Sequence, residues 1–146
     1  PSDAALTIRS LGSDQFSWMA GRDFPVPERP LVAADFSELR ILSLGENSIH
    51  FETVSTWLAE SGSTQRPDLC NSMTVLAMLT AAGVGGSLLP PTCYHNELSS
   101  GDLRIIPSRP TTPHIPFSVV YKARQKTDLQ IAIAEIAAEV STFDSI

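Results

Sequence analysis

The sequence is poor in cysteine, in clustered positive charge and in uninterrupted apolar stretches. Its two cysteines, Cys70 and Cys93, among 146 residues cannot build a disulfide scaffold, and a chain of this length does not need one. The simplest reading of both is a reduced, buried thiol in a cytoplasmic protein. The three histidines are scattered at His50, His95 and His114. Cys93-Tyr94-His95 is the only local pairing of metal-ligand types, and no third or fourth ligand follows at a familiar spacing. Neither a metal nor any other cofactor is expected. Ten Lys and Arg stand against sixteen Asp and Glu, a formal charge of −6. Duplex binding depends on several phosphates being neutralised by grouped cations. Here only Lys122, Arg124 and Lys126 group together, on one side of a strand end, as solvated charges commonly do. These residues are not expected to bind DNA directly. No apolar run reaches the roughly 20 residues of a membrane span, and the longest, Val75 to Pro90, is interrupted by Thr80, Gly83, Gly85 and Gly86. The chain opens at Pro1 without a basic-then-apolar leader, as expected of a processed protein or of a piece of a longer one.

With 42% hydrophobic residues, what remains is an ordinary globular composition, enough for one complete core and too short for two large domains. Leu129, Ile133, Ile136, Ala137 and Val140 repeat at helical spacing, with Thr127 and Gln130 as a capping box, so a helix is predicted from Asp128 with these five residues inward. A second helix is predicted over about Met73–Ala82, capped by Asn71 or Ser72, with Val75, Leu76 and Leu79 inward and Gly83 as its left-handed stop. A third is predicted over about Ile49–Glu60, capped by Asn47 or Ser48, with Val54, Trp57 and Leu58 inward and Gly62 at its end. Short strands are predicted at Leu6–Leu11, Phe16–Ala20, Arg40–Leu44, Pro67–Cys70, Gly86–Leu89, Leu103–Ile106 and Ile115–Tyr121. Strands alternating with helices imply parallel pairing through crossovers, hence an α/β fold. The proline-rich stretches Phe24–Pro30 and Pro107–Pro116 mark loops or crossings.

Gly83-Val84-Gly85-Gly86 superficially suggests a nucleotide-binding loop, but a helix precedes it and a strand follows. The glycines therefore meet the negative end of the helix dipole, and a tight helix-to-strand turn is the better reading. No nucleophile elbow, paired-histidine zinc helix or phosphate loop is present, so nothing supports an enzyme. More telling are two places where a strand runs into a helix through small polar residues: Leu44-Gly45-Glu46-Asn47-Ser48 and Cys70-Asn71-Ser72. In open α/β sheets, ligands lie beyond the carboxyl ends of strands, where helix N-termini present free N–H groups. Ser48 and Ser72 either cap their own helices only, or cap and also touch a ligand. Glu46 would repel an anionic guest unless it points away.

The order of these segments resembles the effector-binding domain of LysR-type transcriptional regulators. The resemblance rests on Phe16-Ser-Trp-Met-Ala-Gly-Arg-Asp-Phe-Pro, the proline-bounded Pro30-Leu-Val-Ala-Ala-Asp-Phe, Ile41-Leu-Ser-Leu-Gly, and above all the run from Ser72 through Thr80-Ala-Ala-Gly-Val-Gly-Gly to Leu89-Pro90. Glu97-Leu-Ser-Ser-Gly-Asp-Leu and Val119-Val-Tyr follow in order, so it extends from Leu6 to about Val140. It implies a periplasmic-binding-protein-like fold of two lobes with a small-molecule effector, such as a small organic acid or amino acid, in the cleft between them. Residues 16–107 would form the second lobe. Residues 1–15 and 108–146 would supply the crossing strand and the returning strand and helix of the first lobe, the rest of which, with the DNA-binding domain, would precede Pro1. Carried over by position, the second-lobe wall comprises Ser43, Gly45, Asn47, Ser48, Asn71 and Ser72. The resemblance further implies a cytoplasmic homo-oligomer that meets DNA only through its N-terminal domain. A transport-type solute-binding protein and an assembly domain without ligand are the alternatives.

Overall fold

The computed structural model describes residues 5–123 and 127–144. Arg124 and Lys126, from the cationic trio, lie outside them. The chain divides into two compact units, Gln15–Pro113 and Pro1–Asp14 together with His114–Ile146. Residues 108–113, expected with the smaller part, are bonded into the larger. The Arg109 N–H donates to the Leu31 carbonyl at 2.8 Å and the Trp57 indole N–H to the Pro110 carbonyl at 3.2 Å.

The larger unit is a mixed sheet. Its strands are β2 (Ser17–Gly21), β3 (Leu42–Leu44), β4 (Asp68–Cys70), β5 (Ser87–Leu89) and β6 (Leu103–Ile105), and its main helices are α1 (Ile49–Glu60) and α2 (Met73–Ala81). β3 and β4 pair in parallel, and the parallel bridge between Ile41 and Gly86 ties the start of β3 to that of β5. This is the pairing expected from alternating strands and helices. The exception is β2, which lies between β5 and β6 and runs antiparallel to both. It follows β1 (Leu6–Gln15) almost without a break. No crossover helix links it to a neighbour, so nothing forces it to run parallel.

Alternation along β2 buries both faces. Met19 joins Leu42, Leu76, Ala77, Leu89 and Leu103 in one core cluster. Trp18 instead packs with Phe36 and Trp57, at ring-centroid distances of 5.2 and 5.1 Å. α1 therefore presents Val54, Trp57 and Leu58 inward, as predicted. α2 is rotated from the expected face. Leu76, Ala77 and Thr80 are buried, Leu79 is half-buried and Val75 points outward. After α2, Gly83 adopts a φ of +76°, and a Cβ on Gly85 would come within 2.7 Å of the Arg40 carbonyl. The glycine run is thus a turn closed tightly against β3. Also unforeseen are a six-residue helix, α3 (His95–Ser100), and two 3-10 turns at Ala33–Ser37 and Pro91–Cys93. All three are too short to show a hydrophobic period. Cys70 is half-buried and Cys93 exposed, which corrects the expectation of two buried thiols.

In the smaller unit β1 pairs with β7 (His114–Lys122). α4 (Asp128–Val140) begins at the expected capping box, with the Gln130 N–H donating to Thr127 Oγ1 at 3.2 Å and the Thr127 N–H to Gln130 Oε1 at 3.1 Å. Its buried residue is Ala134. Leu129, Ile133, Ile136 and Val140 are 54–68% exposed, so the predicted inward stripe faces out and only Ala137 of that set is half-buried. Phe117 stacks on Phe143 at 4.5 Å.

Candidate functional site

The parallel register of β3 and β4 sets Leu44 beside Cys70. The strands therefore end level with each other, and the loops leading into α1 and α2 emerge side by side. Between them lies a cavity of about 530 Å³ lined by residues 44–48 and 69–71. The two loops nearly touch, since a Cβ on Gly45 would sit 3.4 Å from Asn71 Oδ1. Gly45, Asn47, Ser48 and Asn71, picked out in the sequence, thus share one cavity. Glu46 is the only charged residue in its lining, and Leu44, Leu69 and Cys70 make the rest of it partly apolar.

Ser48 is the N-cap of α1. Its Oγ accepts from the Phe51 N–H at 3.1 Å and donates to the Gly45 carbonyl at 2.7 Å. With its proton committed, the hydroxyl has only a lone pair left for a guest. The first N–H groups of α1 have no acceptor within the helix, and the dipole adds partial positive charge there. The site can therefore receive hydrogen-bond acceptors at the helix start and donors at Glu46 and the amide oxygens of Asn47 and Asn71.

Two expected wall residues stand outside the lining. Ser72 caps α2, its Oγ accepting from the Val75 N–H at 3.4 Å. Ser43 is fully buried behind the wall, with Oγ 3.0 Å from His50 Nδ1. It points to the α1 side of the sheet while its neighbours Leu42 and Leu44 point the other way, the ordinary alternation of a strand. His50, in the first turn of α1, is itself buried, and burial pushes its pKa below the usual histidine value although the Leu88 carbonyl opposes that shift. Nothing local in the sequence pairs Ser43 with His50. A second cleft of about 440 Å³ shares Glu46 and Leu69 with the first and extends along α1 to residues 63–67. Sequence reading did not identify it either.

Residues 1–138 match the family model of the LysR substrate binding domain. The chain belongs to that family. Solved LysR-type regulatory domains share its architecture. The Synechocystis PCC6803 CcmR regulatory domain in complex with 2-PG superposes with a TM-score of 0.78 at 15% identity, over 97% of this chain and 70% of that one. The effector-binding domain of QuiR in complex with shikimate gives 0.74 at 11% identity, over 94% and 67%. The CrgA regulatory domain from Neisseria meningitidis gives 0.70 at 18% identity, over 97% and 72%. At these identities the likeness establishes the periplasmic-binding-protein-like α/β fold of LysR substrate-binding domains. No curated protein matches the chain. Among the described residues no helix is long and apolar enough to cross a membrane.

Proposed function

We propose that this LysR substrate-binding domain is the ligand-sensing and oligomerisation part of a transcriptional regulator, and that the cavity at the ends of β3 and β4 is one wall of its effector site. The observation that carries this is the convergence of two strand-to-helix loops, one in each half of a parallel pair, on a single partly apolar cavity of about 530 Å³. That is where open α/β sheets hold small ligands. QuiR with shikimate and CcmR with 2-PG, similar in fold, support a small-molecule effector. The reading makes the larger unit, residues 15–113, the second lobe, and residues 1–14 with 114–146 the crossing and returning parts of the first. DNA is met through a separate N-terminal domain, and the protein works in the cytoplasm as a regulator, not as an enzyme.

Effector binding can alter such a regulator only by favouring one of two states over the other. The outward stripe of α4, Leu129, Ile133, Ile136 and Val140, supports self-association as the second role of the domain. Isothermal titration against a panel of small carboxylates and amino acids tests the sensing role. Saturable heat from at least one class, lost on bulky substitution of Gly45, is the expected result. A panel silent against the full-length regulator would overturn it.

A further inference from the structure

His50 does not line the cavity, yet it ties the start of α1 to β3, which together bound one of the two loops that line it, and to β5 beside them. Nε2 lies 2.7 Å from the Leu88 carbonyl of β5. A carbonyl can only accept, so the ring proton sits on Nε2 and Nδ1 keeps its lone pair. Two donors from β3 converge on that lone pair, the Ser43 hydroxyl at 3.0 Å and the Leu44 N–H at 3.3 Å. Leu44 is the first residue of the cavity wall, and His50 follows its last, Ser48, by two. The imidazole thus closes the ring of the β3–α1 loop from behind. A second proton on Nδ1 would break this closure. Ser43 could rotate its hydroxyl to accept, but the Leu44 N–H could only face another donor.

The surroundings offer a cation nothing. Against the ring lie Ser43, Leu44, Leu88 and Phe16, whose ring centroid is 6.3 Å away. None carries charge. Residues 42–44, 87–89 and 17–21 of β3, β5 and β2 include no ionisable group, and Arg40, just before β3, is exposed and paired with Asp68 at 2.5 Å. On the side of α1 itself, Glu46 and Glu52 are both exposed. The positive end of the α1 dipole opposes protonation further.

We propose that His50 is a positioning residue for the cavity, its neutral Nδ1 holding the Leu44–Ser48 wall in place so that protonation loosens that wall. The consequence for effector affinity rests on the function proposed above, but the positioning itself can be read without any ligand.

The test is ¹⁵N NMR of the full chain between pH 7.5 and 4.5, following the His50 ring nitrogens and the amides of Leu44, Gly45 and Ser48. A ring protonated on Nε2, with the three wall amides shifting at the same midpoint as the ring, is the expected result. Wall amides that titrate independently of the ring, or do not respond when it titrates, would overturn the proposal. Two variants separate positioning from mere packing. H50N keeps an acceptor near Nδ1, whereas H50Q keeps a donor near Nε2. The wall amides are expected at near wild-type positions across the pH range in H50N and displaced in H50Q. The opposite order would refute the assignment, and the wild-type titration decides the matter if either variant fails to fold. Failure of every member of the small carboxylate and amino acid panel, titrated separately into the same samples, to shift any resonance would count against the effector reading alone.

Discussion

A buried neutral histidine ties folding to pH with a definite sign. The folded pKa of His50 lies below its ordinary value of 6.5, so above that pH neither folded nor unfolded chain carries the proton. As pH falls below 6.5, the unfolded chain takes up a proton that the fold resists. The stability is then lost progressively until the folded pKa is passed, at up to about 1.4 kcal/mol per pH unit. Urea midpoints at pH 7.5 and 5.5 should therefore separate more for the wild type than for H50N. Equal separations would mean that the imidazole is not held neutral. The two caps make a second contrast at this scale. Each Ser→Ala change should cost about 1 kcal/mol in denaturant unfolding. Only S48A, whose hydroxyl lines the cavity, should also weaken effector binding in calorimetry. Both caps are legible in the sequence because a cap and its target lie three residues apart. The Ser43–His50–Leu88 chain is not, since it joins a strand, a helix and a second strand that meet only in the folded protein.

Helices α1, α2 and α4 are each readable by existence and extent, but their orientation is readable only where polar residues define an outer face. α1 has such a face, and its buried side was foreseen. α2 reads Met-Thr-Val-Leu-Ala-Met-Leu-Thr-Ala, apolar almost all round, so periodicity alone cannot say that Val75 turns outward and Thr80 inward. The α4 stripe is a clear one, yet the side packed into the smaller unit is the one bearing Ala134, which is 1% exposed. A stripe shows what a helix is suited to bury, not what lies opposite. It follows that I133E and I136E should each change the unfolding free energy of this chain by no more than about 0.5 kcal/mol. A134F, forced into a packed contact, should cost about 1–3 kcal/mol. Thermal or urea denaturation checks both. If the stripe mediates self-association, I133E should also lower the mass seen by light scattering, while a wild-type chain that is monomeric throughout would contradict that role.

At the scale of the whole molecule, α/β class and strand order along the chain follow from alternating strand and helix patterns, whereas the antiparallel β2 does not. It comes from β1 and not from a crossover, and local pattern carries no record of where a strand arrives from. Its Trp18 anchors the aromatic cluster with Phe36 and Trp57, whose rings are 4.6 Å apart. W57A should accordingly cost about 3–5 kcal/mol in denaturant unfolding. The candidate site was legible for a related reason. Small polar residues after a strand mark a helix start wherever they occur, but only parallel pairing of the two strands brings two such starts to one cavity. That convergence is tested most directly by mapping ¹⁵N amide shifts of the full-length regulator as small carboxylates and amino acids are added. Saturable shifts should centre on Gly45, Asn47, Ser48 and Asn71. Shifts centred instead on the neighbouring cleft at residues 63–67, or none from any compound, would contradict the assignment of the effector site.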